Sequence, residues 1–250
     1  MNPHLPSLLE LAVEAARHPS DFILSGFRND ALSAERKGDG SVVTHYDREA
    51  ERRIRAFIAE RQPENWPLLG EELGGDTDRA RYRWVLDPID GTLLAFEDVA
   101  ERRALIGVIH LPAMGETYWA ARGLGAWCNG APIHAAQPRA MNDSIISVPA
   151  EHHFRLAGVA ESHEKLRAQA PHLRCFADCW AHAMVARGSI DAVVEFRLSR
   201  WDIAATEVVC EEAGARVITR DAPYAPGKYD SILATPQLAA DLATLLAFDT

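Results

Sequence analysis

Leu8, Leu9, Ala12, Ala15 and Ala16 recur at helical spacing and predict an amphipathic helix at the start of the chain, bent at Pro19. Ala50, Ile54, Phe57 and Ile58 follow the i, i+4, i+7, i+8 rule and predict a second helix over residues 44–60. Thr44 and Asp47 have the spacing of a capping box for it. The pattern then shortens. Leu68-Leu69 and Trp84-Val85-Leu86 are apolar runs of strand length, and each ends in acids. Residues 104–111, 116–121 and 125–128 read as further strands, with Asn129-Gly130 as a tight turn. After a softer segment at 135–142, strand and helix alternate. Strands are predicted at 144–148, 192–196, 215–219 and 231–234, and helices at 178–188, at 202–214 and from Pro236 onward. The expected class is α/β, with an α+β half over 1–138 and an α/β half over 139–250.

Composition narrows the functional classes. The chain has 250 residues, 48% of them apolar and 25% charged, as in an ordinary globular protein with a substantial core. A net charge of −10 with no basic run argues against a nucleic-acid partner. No apolar stretch approaches the roughly 18–20 residues of a membrane span. Residues 1–17 carry Glu10 and Glu14 and lack a leader pattern, so a cytoplasmic protein is expected. Cys128, Cys175, Cys179 and Cys210 form no C-x-x-C pair and read as free thiols. His152, His153 and His163 lack the acid or cysteine spacing of a zinc site.

The candidate chemistry centres on Asp87-Pro88-Ile89-Asp90-Gly91-Thr92. Pro88 has no N–H to donate and stops the strand, leaving Asp87 and Asp90 at its end. Clustered carboxylate oxygens suit a hard divalent cation, and Gly91 lets the backbone come close to an anion. Asp and Gly also favour turns for plain conformational reasons. Three other segments carry acids: Glu71-Glu72 after Leu68-Leu69-Gly70, Asp47 after Val42-Val43-Thr44, and Asp202 in Trp201-Asp202-Ile203-Ala204-Ala205. Taken singly, Asp47 and Asp202 are equally at home as helix-capping residues.

In this order, the four segments resemble the inositol monophosphatase family of metal-dependent phosphatases. Lys37-Gly38-Asp39-Gly40, Gly123-x-Gly125-Ala126 with Asn129-Gly130, and Glu211-Glu212-Ala213-Gly214 extend the likeness from about Leu8 to the end. The resemblance implies a layered α-β-α-β-α sandwich with the site between the halves. It implies Mg²⁺ as cofactor, two or three ions held by Glu71, Asp87, the Ile89 carbonyl, Asp90 and Asp202. Asp47 and Thr92 match the pair that orients the attacking water, with Glu71 assisting, and the N–H groups of Gly91 and Thr92 match the phosphate contacts. Lys37 and Glu72 fall near the site in this pattern. A small phosphorylated metabolite as partner, a homodimer and lithium inhibition are further implications.

The segment Asp178-Cys179-Trp180 is similar to the histidinol-phosphatase branch, which makes Asp178 and Glu195 candidate contacts for a cationic substrate. Phe176 and Ala177 replace the branch's usual glycines. One departure is larger. Thr92 runs directly into Leu93-Leu94-Ala95-Phe96-Glu97, where family members carry a short helical turn and a loop first. That turn supplies a helix N-terminus beside the phosphate. Three readings stay open: an active phosphomonoesterase for histidinol phosphate or inositol phosphate, a catalytically impaired member that binds metal or a partner, and a nucleotide or sugar bisphosphate phosphatase.

Overall fold

The computed structural model describes residues 3–27, 33–38, 42–75, 77, 79–89, 91–176 and 178–248. The chain opens with α1 (Leu5–Arg17) and α2 (Ser20–Phe27), so the bend foreseen at Pro19 is a break between two helices. A short hairpin of β1 (Ala34–Arg36) and β2 (Val42–Thr44) leads into α3 (His45–Arg61), whose N-cap is Thr44. A seven-stranded sheet follows in simple chain order: β3 (Leu68–Gly70), β4 (Tyr82–Asp87), β5 (Thr92–Asp98), β6 (Arg103–Leu111), β7 (Glu116–Ala121), β8 (Ala126–Cys128) and β9 (Ala131–Pro132). β3 and β4 run parallel and the remaining pairs are antiparallel. Asn129 and Gly130, both at positive φ, turn β8 into β9.

The second half contains β10 (Ile146–Ser147), α4 (Glu151–Leu156), α5 (Ala160–Gln169), β11 (Leu173–Arg174), α6 (Asp178–Ala186), β12 (Ala192–Leu198), α7 (Arg200–Glu212), β13 (Arg216–Asp221), β14 (Tyr229–Ala234) and α8 (Pro236–Leu245). Its five strands pair in the order β11-β10-β12-β14-β13, a mixed sheet.

Strand periodicity explains the layering. Trp84 and Leu86 of β4, with Leu94 and Phe96 of β5, pack on Leu8, Ala12, Ala15, Ile54 and Ile58 of α1 and α3. The alternate residues Val85, Leu93 and Ala95 join a second core with α6, α7 and Val193 and Leu233 of the other sheet. Ala192, Val194 and Ile232 face the opposite way, onto Phe154, Leu166, Leu238 and Leu242. Both sheets are therefore covered on both faces, which is why β4 and β5 read as unbroken apolar runs. The result is the α-β-α-β-α sandwich, with α6 and α7 as its central layer. Gly107 on β6 permits that layer's close approach: a Cβ there would lie 2.1 Å from the Ala205 carbonyl oxygen of α7. The C-terminal end of α7 is tied to the first sheet as well. Glu212 accepts the N–H groups of Gly123 and Gly125, each at 3.0 Å, which joins two of the sequence motifs.

Two helices escaped the periodicity argument. In α4 and α5 only Phe154, His163 and Leu166 are buried, too few to mark a stripe.

Candidate active site

Each acid at the interface of the halves is set by a local device. On α3, Asp47 Oδ2 accepts the Thr44 N–H at 2.8 Å and the Thr44 hydroxyl at 2.6 Å, which completes the capping box. On α7, Asp202 Oδ2 accepts the Ser199 N–H at 2.6 Å in a second capping box. Asp87 ends β4, is 2% exposed, and its Oδ1 accepts the Ile89 N–H at 3.2 Å. Glu71 and Glu72 follow β3 in a loop held from below by Glu51, which is fully buried on α3. Glu51 accepts the backbone N–H groups of Glu72 at 2.8 Å and Leu73 at 3.2 Å and pairs with Arg55, which also reaches the carbonyls of Leu68 and Gly74.

These devices bring Glu71, Asp87 and Asp202 into one cleft of about 410 Å³ together with Asp178, Glu195, His182, Lys37 and Lys228. Lys37 Nζ bridges Glu71 at 2.8 Å and Glu72 at 2.5 Å. Burial works against the Lys37 charge, but the two glutamates overrule it and hold the ammonium well above the ordinary lysine range. The Glu72 carboxyl is raised by burial, helped by Glu71 and Asp47 and opposed by Lys37. Burial pushes Asp202 up to about 6; Glu71 and Glu195 add to this, while the Ser199 N–H and Lys228 oppose it. The cleft thus holds more negative charge than its lysines neutralise.

That excess, on oxygen donors alone, is the donor chemistry of a hard divalent cation, and the ammonium of Lys37 already sits on two of the carboxylates as a cation would. Among the described residues, no three His, Cys, Asp or Glu side chains stand close enough to enclose a metal ion by themselves. Asp90, expected as a metal-binding acid, lies outside the described residues.

The remaining expected site residues among those described do not line this cleft. Asp47, Ile89 and Gly91 line a neighbouring, largely apolar cavity of about 550 Å³ with Leu111 and Trp180. The Gly91 N–H, expected to meet phosphate, donates instead to the Ile89 carbonyl at 2.5 Å. Gly91 has φ +65°, and a Cβ there would lie 2.2 Å from Cys179 Sγ, so only glycine fits. Thr92 is buried and its hydroxyl donates to the Pro88 carbonyl at 2.9 Å. Asp47 and Thr92 each hydrogen-bond within their own turn, and no direct bond joins them. β5 begins at Thr92, as the sequence foretold, so no helical turn separates the Gly-Thr pair from the strand.

Three contributors were not foreseen. His182 on α6 is buried, 2.6 Å from Glu195 Oε2 through Nε2 and 3.0 Å from Thr206 Oγ1 through Nδ1. Lys228 donates to the Ser199 hydroxyl at 2.5 Å, beside the Asp202 cap. Glu51 carries the Glu71-Glu72 loop. Only Glu51 left a trace in the sequence: it stands four residues before Arg55, an i, i+4 ion pair next to the Ala50-Ile54-Ile58 stripe.

Comparison with known proteins places the chain in a family. The sequence profile of the inositol monophosphatase family matches residues 4–248. A histidinol-phosphatase of Chlorobaculum parvum is 35% identical over 86% of this chain and 85% of its own length. One from Mycobacterium tuberculosis is 31% identical over 87% and 89%. The crystal structure of an IMPase/NADP phosphatase complexed with Mg²⁺ and phosphate superposes with a TM-score of 0.81 at 22% identity, covering 99% of this chain and 97% of that one. The match to the family profile spans nearly the whole sequence, and the chain belongs to the inositol monophosphatase family, as a phosphomonoesterase of that family.

Proposed function

We propose that this phosphatase is Mg²⁺-dependent and hydrolyses the phosphate monoester of a small polar alcohol bearing an amine, with histidinol phosphate as the leading candidate. The observation that carries the proposal is the meeting of acids from both halves, Glu71 and Asp87 from one and Asp178, Glu195 and Asp202 from the other, in a single cleft. The relatives named histidinol-phosphatase support the substrate, and the Mg²⁺ and phosphate complex of a protein with the same fold supports the cofactor.

Glu71, Asp87, the Ile89 carbonyl, Asp90 and Asp202 would hold the cation. When bound, it would neutralise the phosphoryl oxygens and lower the pKa of the attacking water. The chain's own groups do the positioning. Glu51 and Arg55 fix the loop that presents Glu71, and the Ser199 cap fixes Asp202. Lys37 neutralises Glu71 and Glu72, and Asp178 and Glu195 line the same cleft as acids for the part of the substrate beyond the phosphate.

The test is phosphate release from histidinol phosphate, inositol monophosphate, glycerol phosphate and a nucleotide bisphosphate, with and without Mg²⁺, beside an Asp90→Asn control. Mg²⁺-dependent turnover that is highest on histidinol phosphate and lost in the control is the expected result. Preference for the bisphosphate would move the substrate assignment. Metal binding without turnover would mark an impaired binding protein, the reading favoured by the entry of Thr92 directly into β5.

A further inference from the structure

The two acids of the cleft expected to meet the substrate, Asp178 and Glu195, are not equivalent, and the difference is made by a residue that neither cleft chemistry nor helix propensity calls for. His182 lies in the Ala-rich middle of α6, its side chain 2% exposed. Its Nε2 stands 2.6 Å from Glu195 Oε2 on β12, and its Nδ1 stands 3.0 Å from Thr206 Oγ1 on α7. One ring thus bridges the central helix layer and the second sheet, with both nitrogens engaged. Asp178, one turn earlier on α6, is the opposite case. It lines the cleft and makes no side-chain hydrogen bond among the described residues. Its backbone is at φ +48°, a left-handed conformation in which a residue with a side chain is strained; such strain persists where the surroundings impose it and clusters at ligand-binding sites.

We infer that His182 is a specificity-determining positioning residue. By holding Glu195 it leaves Asp178 as the uncommitted acid of the pair, so the site reads one cationic group at Asp178 and a hydroxyl or other neutral donor at Glu195. This rests on the phosphomonoesterase reading above and narrows its substrate class to monocationic amino-alcohol phosphates.

The electrostatics agree. Burial disfavours the His182 charge, yet the groups that face it hold its pKa above the ordinary histidine range: Glu195 on β12, Asp178 on its own helix and Asp202 on α7. An imidazolium donates through both nitrogens, which satisfies Thr206 and Glu195 together. Glu195 keeps a second carboxylate oxygen, enough to accept a hydroxyl but with its charge already answered. The Asp178 carboxyl is raised by desolvation and by Glu195, with His182 opposing, as expected for an acid that lacks a cation of its own.

The test compares an amino-alcohol phosphate, histidinol phosphate, with a neutral one, glycerol phosphate, in the Mg²⁺-loaded protein. Asp178→Asn is expected to raise the KM ratio of the aminated to the neutral ester by about tenfold or more, the worth of a hydrogen bond to a charged group. Glu195→Gln is expected to raise both KM values in parallel, leaving that ratio within about twofold. His182→Gln frees the Glu195 charge and is expected to lower the KM ratio below that of the wild type, a gain that loss of packing does not produce. A ratio unchanged in His182→Gln, or a Glu195→Gln effect confined to the aminated ester, overturns the inference. Histidine side-chain NMR supplies a readout independent of turnover. His182 should stay protonated above the ordinary imidazole range in the wild type and fall toward it in Glu195→Gln; an imidazole indifferent to Glu195 also overturns the inference. Absence of any wild-type turnover would defeat the phosphatase reading instead, and the NMR result would still decide whether His182 holds Glu195.

Discussion

Two helices of this chain open with the same device and put it to different use. Thr44 and Asp47 cap α3, and Ser199 and Asp202 cap α7; in both, an acid three residues into the helix accepts the cap residue's N–H. Asp47 faces an apolar cavity beside Gly91 and Trp180, and one of its oxygens takes both Thr44 donors. Asp202 lines a cleft crowded with acids from both halves, where burial, Glu71 and Glu195 push it up to about 6. A capping role and a site role do not exclude each other. What separates the two acids is the charge around them, and that charge comes from segments distant in sequence.

Substitution tests the contrast directly. Asp202→Asn keeps an oxygen for the Ser199 N–H, so the fold should survive, while Mg²⁺-dependent phosphate release should fall by about 100- to 1,000-fold. Steady-state kinetics beside circular dichroism check both halves of that expectation. Parallel losses of activity and folding would reduce Asp202 to a cap.

In the second turn of α3, Glu51→Gln removes the buried charge that pairs with Arg55 and leaves one oxygen where two accepted the loop N–H groups. It should cost about 3 kcal/mol of stability and raise the half-saturating Mg²⁺ concentration, since the Glu71 loop is no longer fixed. Denaturant melts and a Mg²⁺ titration would show whether the two effects travel together. Asp47→Ala should cost about 1 kcal/mol, the ordinary worth of a cap, and lower kcat as well if Asp47 orients water. A loss of stability with kcat intact would confine Asp47 to capping.

A pH trend tests the same contrast. For Asp202 the folded pKa of about 6 lies above the ordinary aspartate value of 3.8, so the native state binds this proton more tightly than the unfolded one. The metal-free protein should therefore lose stability from this group as pH rises from about 4 to about 6. Thermal melts should show that decline shrinking in Asp202→Asn and shrinking again with Mg²⁺, which stabilises the ionised carboxylate.

The legibility of the sequence follows the same division. Elements set by local periodicity and capping were readable: α1, α3, β4 and β5 fall where apolar spacing and the Thr44 motif put them, while α7 starts two residues before the expected 202 because Ser199, not Asp202, is its N-cap. So was the direct entry of Thr92 into β5. The acids Glu71, Asp87, Asp178, Glu195 and Asp202 were legible through the order of motifs along the chain, and the fold gathers them. His182 was not, because a histidine between alanines in a helix has no local signature; its partners Glu195 and Thr206 lie 13 and 24 residues away. The engagement of Gly91 N–H by the Ile89 carbonyl was equally invisible, being a matter of turn geometry rather than residue type. Helices α4 and α5 were missed because polar residues cover all but a few of their positions.

The most direct measurement is phosphate release from histidinol phosphate by the wild type and Asp202→Asn, assayed together across a Mg²⁺ titration. The account predicts turnover that requires Mg²⁺ in the wild type and nearly vanishes in a variant that remains folded. Turnover that persists in Asp202→Asn, or that proceeds without a divalent cation, would contradict it.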